Sequence, residues 1–220
     1  FVNAIVEAGG SVVISGLNEA LTHQRAQEIN TNGGLALGVY ANVLEEDSLH
    51  AAKEKILARF GKIDGLVNAA GGNVPESVVA KDQDIFDMNI PGLQKALILN
   101  LWGTIIPSQV FGAEMTKNGQ GSIVNISSVS QKNALSMVLG YSLGKAALDL
   151  YTKWFAVEVA NRHGDHIRVN AITPGFFLTK QNKDLLTHPD GTYKERANKI
   201  IKHTPFKKFG EPDDLKGALI

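Results

Sequence analysis

The chain has 220 residues, with 22 Lys plus Arg against 22 Asp plus Glu, and no cysteine. Zero net charge argues against nucleic acid or an acidic membrane as partner, and the lack of thiols excludes a disulfide framework and a thiolate metal site. The length suits one domain with a full core, and with no signal peptide or uninterrupted apolar run long enough for a bilayer the expectation is a soluble, cytoplasmic protein.

Val2, Ile5, Val6 and Ala8 read as the end of an amphipathic helix before Gly9 and Gly10. Residues 11–15 are a short β-branched run and read as a buried strand. Asn18 can cap a helix through about Asn30, which Gly33 and Gly34 end. Residues 35–39 read as strand. Residues 45–60 read as a helix, with Leu49, Ala52, Ile56, Leu57 and Phe60 at helical spacing and Gly61 as its stop. Residues 63–67 are a third strand, leading into Asn68-Ala69-Ala70-Gly71-Gly72. Residues 73–94 form a loop with helical pieces that includes Pro91-Gly92. A long helix follows over 93–115, holding Asn100 and Trp102.

Residues 122–126 are a strand, 138–161 a helix and 167–172 a strand. Residues 176–188 are a flap with a short helix, and Pro189-Asp190-Gly191 is a turn. Residues 193–202 are helical, and Pro212 opens the last helix. This alternation predicts an α/β doubly wound parallel sheet, a single dinucleotide-type domain. In such a sheet the first strand lies centrally and its turn carries a Gly-rich phosphate loop. Neither is visible here, so a further segment of roughly 20 residues is expected before Phe1. The apolar run 215–220 likewise reads as the start of something longer.

Tyr141 and Lys145 stand four residues apart, one turn on a shared helical face. A free tyrosine has a pKa near ~10, and an adjacent ammonium favours its phenolate. The pair is therefore a candidate general acid/base for an alcohol or carbonyl. Four features line up with it in chain order: Asn68-Ala69-Ala70-Gly71 after a strand, Asn100 in the long helix, Ser128 after the strand 122–126, and Pro174-Gly175 with Thr179 after the last strand.

On these motifs the chain resembles the short-chain dehydrogenase/reductase family along its whole length. The resemblance implies a catalytic tetrad of Asn100, Ser128, Tyr141 and Lys145, with Ser128 favoured over its neighbour Ser127 by spacing. Ala69-Ala70-Gly71-Gly72-Asn73, residues 174–179, His203-Thr204-Pro205 and residues 209–212 are similar to the D-mannonate oxidoreductase, or fructuronate reductase, subgroup. By that resemblance Tyr141 exchanges the proton, Ser128 steadies the developing oxyanion, Lys145 also holds the nicotinamide ribose, and Asn100 anchors a water linking Lys145 to solvent.

The cofactor implied is NAD or NADP. Gly16 and Leu17, Asn42 and Val43, the turn from Asn68 to Gly71, Tyr141 and Lys145, Pro174 and Gly175, and Phe177 and Thr179 are its candidate contacts. Residues 15–18 carry neither the acidic residue that selects NAD nor an arginine for NADP. For a substrate carboxylate the candidates are Asn73, Lys132, Lys180 and Asn182. No His, Asp and Glu cluster reads as a metal site.

The alternatives are another sugar, polyol or carbonyl substrate, or a dinucleotide-binding regulator without turnover. The Tyr141 helix is apolar on several sides, through Leu150, Tyr151, Trp154, Phe155 and Val157 among others. A homo-oligomer, dimer or tetramer, would cover it.

Overall fold

The computed structural model describes residues 1–179 and 182–220. Helices and strands alternate: α1 (Val2–Glu7), β1 (Val12–Gly16), α2 (Glu19–Thr31), β2 (Ala36–Tyr40), α3 (Glu46–Phe60), β3 (Gly65–Asn68), α4 (Ile90–Asn118), β4 (Gly121–Ile126), α5 (Leu139–His163) and β5 (Ile167–Ile172). Three short helices follow, α6 (Lys183–Leu186), α7 (Glu195–His203) and α8 (Lys216–Leu219).

The ladders joining β1 to β2, β3 to β4 and β4 to β5 are all parallel, giving the expected α/β doubly wound Rossmann architecture. The strands nevertheless form two sheets, β1–β2 and β3–β4–β5, rather than one. Side chains join them. Val39 and Ala41 from the first piece share one core with Leu49, Ile56, Phe111, Met115, Ile123 and Val169.

Local chemistry sets the element ends. The Asn18 side chain accepts the Leu21 N–H at 3.0 Å, and Gly61 ends α3 in the left-handed region at φ +76°. α4 begins at Ile90, three residues before the expected start. Asn89 caps it by accepting the Gly92 N–H at 3.0 Å, so Pro91 lies in the first turn, where its missing N–H costs nothing. Pro91-Gly92, expected as loop, is therefore helix.

α4 is apolar over much of its length, although Lys95, Asn100 and Thr104 interrupt the run. By length and composition it is long enough to cross a bilayer. Half of that stretch is buried in the protein, and Asn100, Thr104 and Ser108, one turn apart, are fully enclosed. These are the features of a core helix lying on a sheet.

A buried chain of polar side chains ties these layers together. Asn68 of β3 donates to Ser108 of α4 and to Asn125 of β4, both at 2.9 Å. Asn125 donates to Thr152 of α5 at 2.9 Å, and Thr152 passes its own proton to the Leu148 carbonyl at 2.8 Å. Ser108 donates to the Thr104 carbonyl at 2.7 Å. Breaking one link strands a buried donor. Thr152→Val is expected to lower stability by about 1–3 kcal/mol through the orphaned Asn125 amide, read as a lower urea midpoint with the helical circular dichroism of the native state retained.

Candidate active site

Tyr141 sits in the first turn of α5 and Lys145 one turn further on. Lys145 is only 5% exposed. Its Nζ donates to the Ile126 carbonyl at 2.7 Å and lies 5.7 Å from the centre of the Tyr141 ring. Ile126 ends β4, two residues before Ser128. The lysine thus links the tyrosine to the strand end that presents the serine. Burial lowers the Lys145 pKa from 10.5 to about 8, with no carboxylate contributing.

Burial separates the two candidate serines. Ser127 Oγ is enclosed without a hydrogen-bond partner among the described residues, whereas Ser128 is half-buried and accepts the Ser130 N–H at 3.2 Å. The short turn Val129–Gln131 after Ser128 packs on α5.

Asn100 is fully buried on α4. Its Oδ1 accepts the Gly72 N–H at 3.0 Å, and its Nδ2 donates to the Gly72 carbonyl at 2.9 Å and to the Ala96 carbonyl at 2.8 Å. The side chain grips the glycine turn by both backbone groups. Gly71 has φ +144°, and a Cβ there would stand 2.7 Å from Asn100 Oδ1 and 3.4 Å from Lys145 Nζ. The turn can pass between these groups only as glycine.

Two further glycines explain how α5 comes so near α4. A Cβ at Gly140 would meet the Ala96 Cβ at 2.9 Å, and one at Gly144 would meet the Asn100 Cβ at 2.7 Å. Sequence reasoning missed these positions. The signal was present as two glycines four apart inside a predicted helix, facing Ala96 and Asn100, themselves four apart.

The other candidates fall at the same strand ends or away from them. Gly16 closes β1, while Leu17 is 68% exposed beyond it. Asn42 is engaged locally: its Nδ2 donates to Glu45 at 2.7 Å and its Oδ1 accepts the Leu44 N–H at 3.1 Å. Val43 lies against Gly103 of α4. The Asn68 amide points into the buried chain, and Ala69 and Ala70 follow on the surface side. The Pro174 carbonyl accepts the Val129 N–H at 3.2 Å, and a Cβ at Gly175 would meet nothing within 4 Å. Phe177 bridges to Gly210. Asn182 holds this loop, accepting the Thr179 N–H at 2.7 Å and donating to the Phe177 carbonyl at 2.8 Å. Asn73 and Lys132 are exposed. Lys180 lies outside the described residues. Among the described residues no group of His, Asp and Glu could hold a metal.

The arrangement suits a dinucleotide. Backbone free of any side chain borders the strand ends at Gly71 and Gly175, the latter with open space around it, and a buried ammonium with one acceptor among the described residues still has two N–H groups to offer a ribose diol.

A family model described as enoyl-(acyl carrier protein) reductase matches residues 1–220. The chain is 40% identical to an uncharacterized oxidoreductase, UxuB, of Bacillus subtilis, over 99% of this chain and 86% of that protein. Among solved structures it is similar to a protein provisionally named D-mannonate oxidoreductase from Haemophilus influenza, with NAD bound. The TM-score there is 0.88 at 36% identity, covering 98% of this chain and 79% of the other. A gluconate 5-dehydrogenase from Burkholderia cenocepacia, with NADP and tartrate, gives a TM-score of 0.83 at 28% identity over 98% and 79% of the two chains.

The buried lysine carries a pH signature. A folded pKa of about 8 against 10.5 unfolded means that the cost of burying the ammonium is full below pH 8 and relieved as pH rises toward 10.5. That cost is about 3 kcal/mol, set against about 1 kcal/mol from the Ile126 hydrogen bond. Lys145→Met is therefore expected to be more stable than the parent at pH 7 by on the order of 1–2 kcal/mol. Denaturation series at pH 7 and pH 10 check this, with the advantage shrinking at the higher pH.

Proposed function

The chain belongs to the short-chain dehydrogenase/reductase family, and from that footing we propose that this NAD(P)-dependent oxidoreductase acts on a sugar acid of the D-mannonate/D-fructuronate type. When bound, the nicotinamide supplies or accepts the hydride. Tyr141 Oη gives or takes the proton at the substrate oxygen. Lys145, close to the tyrosine ring and poor in partners, keeps positive charge beside that oxygen and offers N–H groups to the ribose. Ser128 donates to the same oxygen and steadies charge forming on it. Asn100 holds the turn at Gly72 that borders the cofactor channel. Gly16, Asn42, Val43, Ala69, Ala70, Gly71, Pro174, Gly175, Phe177 and Thr179 are the proposed cofactor contacts. They cluster at the carboxyl ends of parallel strands, where ligands of such sheets bind.

The observation that carries this reading is the Tyr141–Lys145–Ile126 connection, which joins the acid/base helix to the strand end bearing Ser128. The sugar-acid class is supported by the likeness to the provisionally named D-mannonate oxidoreductase. A likeness to gluconate 5-dehydrogenase keeps a neighbouring polyol acid as the second reading. Following reduced-nicotinamide absorbance with fructuronate, tagaturonate and simple ketoses is expected to show turnover favouring the uronates. Tyr141→Phe is expected to cut kcat by roughly 10²–10⁴-fold, the range of a lost general acid, with cofactor affinity retained in a fluorescence titration. Turnover confined to neutral ketoses would refute the substrate class.

We also infer a homo-oligomer. Ile98 and Trp102 on α4 and Leu143, Leu150, Trp154 and Val157 on α5 remain exposed although the two helices cover one another. Sedimentation at micromolar concentration is expected to give a dimer or tetramer mass; a monomer counts against a self-association role for this face.

A further inference from the structure

We propose that Arg196 is the residue that recognises the substrate carboxylate. This rests on the sugar-acid reading and names the side chain that would enforce it.

Arg196 is in the first turn of α7. Its Nη1 meets Met137 Sδ at 3.5 Å, a contact spanning 59 positions of sequence. Met137 lies just before α5, four residues ahead of Tyr141. The guanidinium is thereby set over the segment between the catalytic serine and the catalytic tyrosine.

Two observations mark this contact as incomplete. A thioether is a weak acceptor, while a guanidinium offers five N–H donors in a planar fork that fits a carboxylate with two parallel bonds. Among the described residues no carboxylate pairs with Arg196. The adjacent Glu195 is taken by Lys199 at 2.7 Å.

Met137 also holds left-handed backbone, φ +75°, which is uncommon for a residue other than glycine. Its carbonyl is fixed by the Val79 N–H at 3.0 Å. Backbone of that kind persists where its surroundings hold it, and such places concentrate at ligand sites. The loop containing Val79, the segment before α5 and α7 therefore meet at one residue beside the acid/base helix.

The polar groups nearby are less suited. Lys194 donates to the Asp184 carbonyl at 2.5 Å, and Asn182 is engaged by its own loop.

The test is steady-state kinetics of the full-length protein on D-fructuronate and on D-fructose, its neutral counterpart. Arg196→Met is expected to lower the acid-to-neutral ratio of kcat/KM by about tenfold or more, the scale of a lost charge-assisted hydrogen bond. Arg196→Lys should restore part of it. Met137→Leu, which conserves volume but not the sulfur, should leave the ratio within about twofold. An equal loss on both substrates, or a Met137→Leu variant that reproduces Arg196→Met, makes the arginine a structural tie and overturns the proposal. A second arm separates this from failure of the substrate class. If no sugar acid is turned over, that class fails, and D-tartrate binding to the reduced-nicotinamide complex decides Arg196 by itself. Saturable binding weakened about tenfold or more in Arg196→Met supports the proposal. Equal affinity in both proteins, or no binding in either, overturns it.

Discussion

A lysine kept away from water is the constraint around which the site is assembled. Among the described residues Lys145 has one backbone carbonyl to bond and no carboxylate to neutralise it, and burial pulls its pKa down to about 8. An ammonium so placed is poised to respond to small changes in charge beside it. The proposed transfer of a proton to and from the neighbouring Tyr141 phenol would use that property. The surroundings are shaped to permit it. Glycine at 71 leaves room between Asn100 and the lysine, and glycine at 144 lets α5 approach α4 closely enough for both side chains to serve one space. A methyl group at either position would force apart groups that must sit together.

The helices carrying these groups do not stand free. The hydrogen-bond chain through Asn68, Ser108, Asn125 and Thr152 runs from one helix across two strands to the other. Its ends lie close to the candidate site, since Thr104 is one turn from Asn100 and Leu148 is three residues from Lys145. Apolar contacts alone would allow the layers to slide by a methyl group at small cost. Directional bonds in a buried setting do not, because each misplacement leaves a donor unpaired. The precision of the site is thus built into the interior of the fold.

How far this was legible in the sequence follows from the range of each interaction. Strand β5 was read at its true bounds, and the Asn18 cap and the Gly61 stop were read because their physics lies within a few residues. The start of α4 was missed because Pro91 and Gly92 look like breakers until Asn89 is recognised as the cap that makes proline suitable there. The tyrosine and lysine were visible through their spacing on one helix. The contact between Asn68 and Asn125 was not, since it joins residues 57 positions apart. Nor was the grip of Asn100 on Gly72, or the meeting of Arg196 with Met137, which only the folded chain creates. Asn182 is a candidate for a substrate carboxylate in the sequence as a donor soon after Thr179, whereas in the fold it braces the Phe177–Thr179 backbone.

The main core is accompanied by a small apolar knot of its own making. Leu186, Ala197 and Phe209, with Phe176, Ile200 and Ile201, form a cluster apart from the large one under the sheet. Residues separated in this way exchange little strain, so changes in one are felt weakly in the other. The portion of the chain from Lys183 onward can therefore be reshaped by mutation while the core under the sheet keeps its dimensions. A single scaffold with this division can diversify what it accepts without relearning how to fold.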